Sequence, residues 1–299
     1  HGGVDTQFVV GKTSTGMAPW TNAPEALERG PRVIESRVAA VAPATLWFVS
    51  GAEKVFQEDR VAEGAVVDPV GRVALARNEY ESLQLAVRAV DRPLRKVQIE
   101  AGPLTHENGD AVLGADGIDI CSVLYHRVRI PSYFEGPTGW WPDALPPFAP
   151  FDAQPGETVP VWLRFHARAD AKPGVYRGPL RFLADGEKPV ELSIELTVFD
   201  FALPTTPALK TDFGYWAEAA MRGARQHNPR ADQSALDAAY LENALVHRVT
   251  LRGLTSFPLE AADYAGALKA FSPRVKELLA RGATTFAVPP SLIDFPEQL

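Results

Sequence analysis

A chain of 299 residues with 46% apolar and 22% charged side chains has the make-up of an ordinary globular protein, and its length predicts about two domains, each able to bury a core. Lys and Arg number 30 against 37 Asp and Glu, for a formal net charge of -7, and the cations do not cluster, which excludes the basic face that nucleic acid requires. The single cysteine, Cys121, excludes an internal disulfide and a zinc site built from several thiolates, and no stretch nears the ~20 apolar residues of a membrane helix.

Residues 1–44 are punctuated by Gly2-Gly3, Pro19, Pro24, Gly30-Pro31 and Pro43 and are expected to form a leader or linker. No signal peptide is visible, and the start at His1 rather than Met suggests a beginning that was removed or not captured.

From Thr45 the signals are those of strands: 45–49, 72–77, 96–100, 118–130, 159–166, 175–183 and 190–199. Leu83, Leu85, Val87 and Ala89 alternate with Gln84 and Arg88, as do Leu192, Ile194, Leu196 and Val198 with Ser193, Glu195 and Thr197. Period-two alternation marks strands with one buried and one wet face. The turn clusters Asn108-Gly109-Asp110, Gln154-Pro155-Gly156, Lys172-Pro173-Gly174 and Asp185-Gly186-Glu187 separate them. Many short antiparallel strands joined in this way predict a β-sandwich over 45–205.

After Pro204 the period changes. Strands are expected at 209–215, 249–251 and 284–288. A helix is expected to start at Asn228-Pro229, and another at Ser272-Pro273 with its stop at Gly282. Strand, helix, strand, helix, strand predicts parallel strands with right-handed crossovers. The fold class is therefore mixed: an antiparallel β-sandwich followed by the first part of a (β/α)8 barrel over 206–299. A whole barrel takes about 250 residues, so the chain is expected to be truncated at Leu299.

Barrel enzymes keep their sites at the C-terminal ends of the strands. Asp212 lies on the first barrel strand without an acidic partner on the next two. Tyr215-Trp216 follows that strand, where aromatic rings either stack on sugar faces or fill a core. Asp294 lies beyond the third strand, on the site face or at the start of a further helix. These four, Asp212, Tyr215, Trp216 and Asp294, are the candidate substrate-binding residues. Asp263 and Tyr264 are weaker candidates for the same face, and His247-Arg248 is expected to be structural.

Elsewhere, Glu58-Asp59 reads as a solvated turn, Cys121 as a buried small hydrophobe and His166 as a sandwich-surface residue. Trp140-Trp141 is expected to pack the sandwich against the barrel or to line a groove there. The six histidines form no metal spacing, and no Gly-x-Ser-x-Gly turn or Gly-rich phosphate loop is present, so no cofactor is implied.

Four segments carry a family resemblance: Arg77-Asn78-Glu79-Tyr80-Glu81-Ser82-Leu83-Gln84, Trp141-Pro142-Asp143-Ala144-Leu145, Pro173-Gly174-Val175-Tyr176-Arg177-Gly178 and Asp200-Phe201-Ala202-Leu203-Pro204. Together they resemble glycoside hydrolase family 123 and the wider group that shares its N-terminal sandwich. The resemblance implies a catalytic barrel, a glycan substrate and removal of β-linked N-acetylgalactosamine outside the cytoplasm, extracellular or periplasmic. It implies a substrate-assisted mechanism, in which the sugar's own acetamido oxygen attacks the anomeric carbon while an Asp orients it and a neighbouring Glu acts as acid and base. No Asp-Glu dipeptide exists in this sequence, so no catalytic residue carries over, and the pair is expected beyond residue 299. The alternatives are a non-enzymatic carbohydrate-binding or cell-surface sandwich protein and a glycosidase of another linkage.

Overall fold

The computed structural model describes residues 32–34, 36–114, 117–129, 138–255 and 263–287. The chain divides into two compact units, the first ending at Ala202 and the second beginning at Leu203.

The first unit is built from strands β1 (Val33–Ile34), β2 (Val38–Ala40), β3 (Thr45–Ser50), β4 (Arg60–Val61), β5 (Val70–Arg77), β6 (Glu79–Arg88), β7 (Leu94–Ala101) and β8 (Leu104–His106). They continue with β9 (Val112–Leu113), β10 (Ile118–Ser122), β11 (Tyr125–Val128), β12 (Gly139–Pro142), β13 (Phe151–Ala153), β14 (Thr158–Ala167), β15 (Gly174–Leu183) and β16 (Val190–Ala202). One sheet has the order β10-β14-β6-β3-β2 and is antiparallel throughout. The other runs β13-β7-β15-β16-β5, with β8 and β9 continuing from β15.

A single apolar layer lies between the two sheets. Leu83, Leu85 and Val87 of β6 sit opposite Leu163, Val161 and Val159 of β14. In the second sheet Leu180 pairs with Leu192 and Phe182 with Ile99. All but the half-buried Val159 are buried, with Leu46, Phe165, Ile194, Leu196 and Val198, in one continuous cluster. The alternating runs of the sequence therefore meet face to face, as a two-sheet sandwich requires.

Several features depart from expectation. Ordered strand structure starts before Thr45: β2 is an edge strand of the five-stranded sheet, with Val38 and Ala39 buried. The β5–β16 pair is parallel over eight registered positions, where antiparallel pairing was expected. The 118–130 run breaks after Ser122, because Leu124 leaves the sheet to exchange backbone bonds with Asp143 and Ala144.

The fourth departure is Gln84, on the outer face of its sheet yet buried. Its Nε2 donates to the carbonyls of Ser50 (3.0 Å) and Glu53 (2.7 Å), and the covering segment closes a second small core of Trp47, Val49, Val55 and Ala86. Asp59 lies in that segment. It is 1% exposed rather than solvated, accepting from Arg32 Nε at 3.0 Å and from the Phe56 amide at 2.8 Å. A buried carboxylate needs such a partner set. Trp141 packs edge-on against Phe56 of the same segment, with ring centroids 5.2 Å apart. Cys121 is buried in β10, and burial pushes its thiol up. His166 stacks on Tyr80 at 4.1 Å, on the outer face opposite its Phe165 and Ala167 neighbours.

The chain passes from one sheet to the other at a single residue, Asn78, between β5 and β6. Asn78 adopts φ 60° and its amide donates to the Ala167 carbonyl at 2.6 Å, while Glu79 Oε2 accepts from the Ala76 amide. Asn tolerates this left-handed conformation, whereas a β-branched residue does not. Asn78→Val is expected to destabilise the protein by about 1–2 kcal/mol and Asn78→Gly to be near neutral, measured by urea unfolding. Phe165→Ala, in the shared layer, is expected to cost about 3–5 kcal/mol in the same measurement.

Candidate functional site

The second unit contains helices α1 (Ala217–His227), α2 (Gln233–Val246), α3 (Arg252–Thr255) and α4 (Tyr264–Ala280). The three expected strands do not form ladders among the described residues. One parallel bridge, Phe213 to Leu251, joins the first two segments, through Phe213 N to Thr250 O (3.0 Å) and Arg252 N to Phe213 O (2.8 Å).

Threonine hydroxyls replace the missing ladder bonds. Thr211 Oγ1 accepts from the Thr250 amide at 2.8 Å, Thr250 Oγ1 from the Thr284 amide at 3.0 Å and Thr284 Oγ1 from the Thr211 amide at 3.1 Å. Thr285 Oγ1 donates to the Thr211 carbonyl at 2.7 Å. Side chains that satisfy backbone amides in this way compete with sheet formation, and three segments are tied together without becoming strands.

The helices differ from the sequence reading in instructive ways. Asn228-Pro229 forms a turn, with Asn228 Oδ1 accepting from the Arg230 amide, and the cap of α2 is Asp232, which accepts from the Ala235 amide at 2.8 Å. α1 was not anticipated. Its alanines favour helix, but Met221 is the one large apolar side chain it buries, so no stripe announces it. α4 begins nine residues before Pro273 and runs through it, with Ser272 Oγ donating to the Leu268 carbonyl. Gly282, φ 102°, follows its end as expected.

Tyr215, Trp216 and Asp212 lie together around the bridge, and Asp294 lies outside the described residues. Asp212 is 47% exposed and pairs with Arg252, 55% exposed, at Nε to Oδ1 3.4 Å. The Tyr215 hydroxyl donates to Asp237 Oδ1 at 2.6 Å, Gln233 Nε2 donates to the same oxygen, and the Tyr240 ring lies 5.2 Å away. Tyr215 is thus held by α2, and its hydroxyl is occupied.

Trp216 stands at the N-cap position of α1 and is 74% exposed. Its indole folds back on Gly214: a β-carbon there would lie 2.8 Å from Cη2. Gly253 is equally constrained, since a β-carbon would lie 2.6 Å from the Tyr215 carbonyl. Both glycines allow the end of the first segment to turn tightly beside the second.

Asp263 is the cap of α4, accepting from the Gly266 amide at 3.0 Å, and Tyr264 is the first residue of that helix. His247 caps the C-terminus of α2, and Arg248 Nε donates to the Pro204 carbonyl, both structural tasks. Sequence reasoning missed Arg252, Asp237 and Gln233. The i, i+4 spacing of Gln233 and Asp237 was a legible signal, whereas nothing local marks Arg252. Among the described residues, no group of three or more His, Cys, Asp or Glu could hold a metal, and no helix is long and apolar enough to cross a membrane, which says nothing of β-barrels.

Burial, reinforced by the hydrogen bond to Asp237, pushes the Tyr215 hydroxyl up to about 12 from its ordinary value near 10. A raised folded-state value means that this contribution to stability is complete below pH 10 and is lost as pH rises towards 12. Asp237→Asn is expected to bring Tyr215 back towards 10. The measurement is alkaline difference absorbance of phenolate formation, with Tyr215→Phe as the reference that removes the signal.

No protein-family model matches the chain, and no curated protein matches it. Among solved structures it is similar to a family 123 glycoside hydrolase from Clostridium perfringens, described for glycolipid glycan hydrolysis, with a TM-score of 0.51 at 16% identity. That likeness covers 60% of this chain and 32% of the other, so the chain spans about a third of that enzyme. AvmM, which catalyses macrocyclisation in alchivemycin A biosynthesis, is matched at a TM-score of 0.28 and 10% identity, over 54% of this chain and 92% of that one. The Yersinia enterocolitica fimbrial subunit MyfA, solved with galactose, is matched at 0.25 and 12%, over 52% and 98%. Those two scores are too low to bear on the architecture. The first likeness, at its low identity, speaks for a glycosidase-like fold and for nothing finer.

Proposed function

We propose that this chain supplies the sandwich and the first part of the catalytic barrel of a glycosidase that removes a terminal amino sugar from a glycan outside the cytoplasm. The observation that carries the proposal is the likeness in fold to the Clostridium perfringens family 123 enzyme. The resemblance of the Arg77–Gln84, Trp141–Leu145, Pro173–Gly178 and Asp200–Pro204 segments supports it independently.

In this reading the sugar's acetamido oxygen is the nucleophile, and the protein supplies an Asp to orient it and a Glu to move the proton. The sequence holds no Asp-Glu dipeptide, so the reading puts that pair outside residues 1–299. Asp212, Trp216 and Asp294 would contact the substrate, and Tyr215, bound to Asp237, would position the Trp216 turn.

The expected outcome is that the 299-residue chain alone turns over nothing. A longer product of the same gene, where one exists, should cleave chromogenic β-N-acetylgalactosaminide in preference to plain β-galactoside. Equal rates on both would overturn the acetamido mechanism. A longer, folded product that cleaves neither would favour a carbohydrate-binding protein instead.

A further inference from the structure

We infer that Arg127 and Trp140, side by side on the β11–β12 ribbon of the first unit, form a binding site for an acidic sugar: a uronate ring stacks on the indole and places its carboxylate on the guanidinium. The inference stands apart from the glycosidase reading, which gives neither residue a role. Arg127 and Trp140 are register partners in the antiparallel ribbon. Side chains directly opposite in such a pair rise from one face, with their β-carbons about 4.5–5.5 Å apart. A uronate spans such a pair, its ring over one side chain and its carboxylate reaching the other.

The ribbon is anchored by different side chains. The Tyr125 hydroxyl donates to the Val55 carbonyl at 2.7 Å, and Trp141 packs edge-on against Phe56. Residues two apart in a strand share a side, so Tyr125 and Pro142 lie on the face of Arg127 and Trp140. Pro142 is buried there, and further along the same face Trp140 is 39% exposed and Arg127 is exposed. Among the described residues the Arg127 guanidinium has no ion-pair or hydrogen-bond partner. Arg32 lies over the Phe56 ring at 5.4 Å and Arg164 over Tyr80 at 5.7 Å, whereas Arg127 makes no such contact with the indole opposite it. Lys54 Nζ donates to the Pro142 carbonyl at 3.3 Å and adds a second positive charge beside the ribbon. A free guanidinium fork takes a carboxylate through two parallel bonds, and an open indole takes the apolar face of a ring. A neutral sugar gains only the stacking and a small carboxylate only the ion pair, so the site selects a ring that carries both.

The test is binding of glucuronate and galacturonate, their neutral counterparts glucose and galactose, and acetate to the 299-residue chain, by calorimetry and tryptophan fluorescence. The uronates should bind saturably, on the order of 1–10 mM, and the neutral sugars and acetate at least about ten-fold more weakly. Arg127→Ala should weaken the uronates by about ten-fold or more and remove their advantage over neutral sugars, the loss expected for a bond between charged groups. Arg127→Lys, which keeps the charge but not the fork, should restore only part of it. Trp140→Ala should weaken the uronates by about ten-fold, and Trp140→Phe by less. Added salt should weaken the uronates and leave the neutral sugars unchanged. Surface substitutions of this kind scarcely alter stability, and circular dichroism verifies folding; R127K and W140F carry the decision if an alanine variant fails to fold.

The inference is overturned if galactose binds as well as galacturonate, if folded R127A or W140A binds the uronates like the parent, or if the folded parent binds no uronate at roughly 100 mM. The glycosidase reading is tested by turnover of a longer product, so the two fail separately. Uronate binding that depends on Arg127 and Trp140, in a protein that hydrolyses nothing, keeps the site and removes the enzyme. Hydrolysis by a longer product whose 127 and 140 variants bind uronate no differently keeps the enzyme and removes the site.

Discussion

Two sheets share one apolar layer, and the side-chain period of two fixes every register within it. A slip of one residue on β6 or β16 would turn Leu83, Leu85 and Val87, or Leu192 to Val198, out to water and bring Gln84 or Glu195 into the layer. The rest of the first unit follows from that constraint. Asn78 must turn the chain from one sheet to the other within a single residue, because both β5 and β6 are held in register by long ladders. The edge strand β5 then has only β16 to pair with, and it arrives parallel. The 51–61 segment is placed in turn by the outer face of β6, where Gln84 and Ala86 would otherwise lie open; Asp59 and Arg32 are the polar cost of closing that second core, and the Phe56 amide and the Lys54 carbonyl complete its hydrogen bonding.

The second unit obeys a different rule. Its three extended segments are short, and their amides bond to threonine hydroxyls instead of to a neighbouring backbone. A threonine bond ties one point, whereas a ladder ties a line. The triangle of Thr211, Thr250 and Thr284 fixes the starts of the segments and leaves their ends to be set by other contacts: the Phe213–Leu251 bridge and the Tyr215–Asp237 bond. Asp212 and Trp216 flank those two restraints along the chain, where the backbone is positioned but the side chains still face water.

This difference explains what could be read from the sequence. Alternation over eight or more residues, as in β6, β14 and β16, has few competing interpretations. The parallel β5–β16 pair was not legible because pairing partners far apart in sequence leave no local trace. Asp59 was misread because an adjacent acidic residue, Glu58, made the turn look solvated, while its partner Arg32 lies 27 residues away. The start of α2 was misjudged because two cap signals lie close together: Asn228-Pro229 and Asp232 are four residues apart, and it is Asp232 that accepts from the Ala235 amide. In the second unit, Asp212 and Trp216 could be singled out because one lies on, and the other follows, a recognisable strand-like run. Arg252 was not, because only the bridge at Leu251 brings it to Asp212.

Likeness in fold and likeness in chemistry therefore rest on different residues in this protein. The sandwich is specified by apolar positions that any sequence with the same alternation could supply, which is why a match at 16% identity can still reach a TM-score of 0.51. In the proposed reading, chemistry would depend instead on a few polar groups at the ends of the segments in the second unit. There the side chains are chosen by what they touch, not by what they fill. Tyr215 illustrates the division: its ring packs by Tyr240, its hydroxyl is committed to Asp237, and nothing of it remains to meet a ligand except the turn it holds in place. Asp212 is the reverse: nearly half exposed, it meets Arg252 at 3.4 Å where the Phe213–Leu251 bridge brings the two segments together.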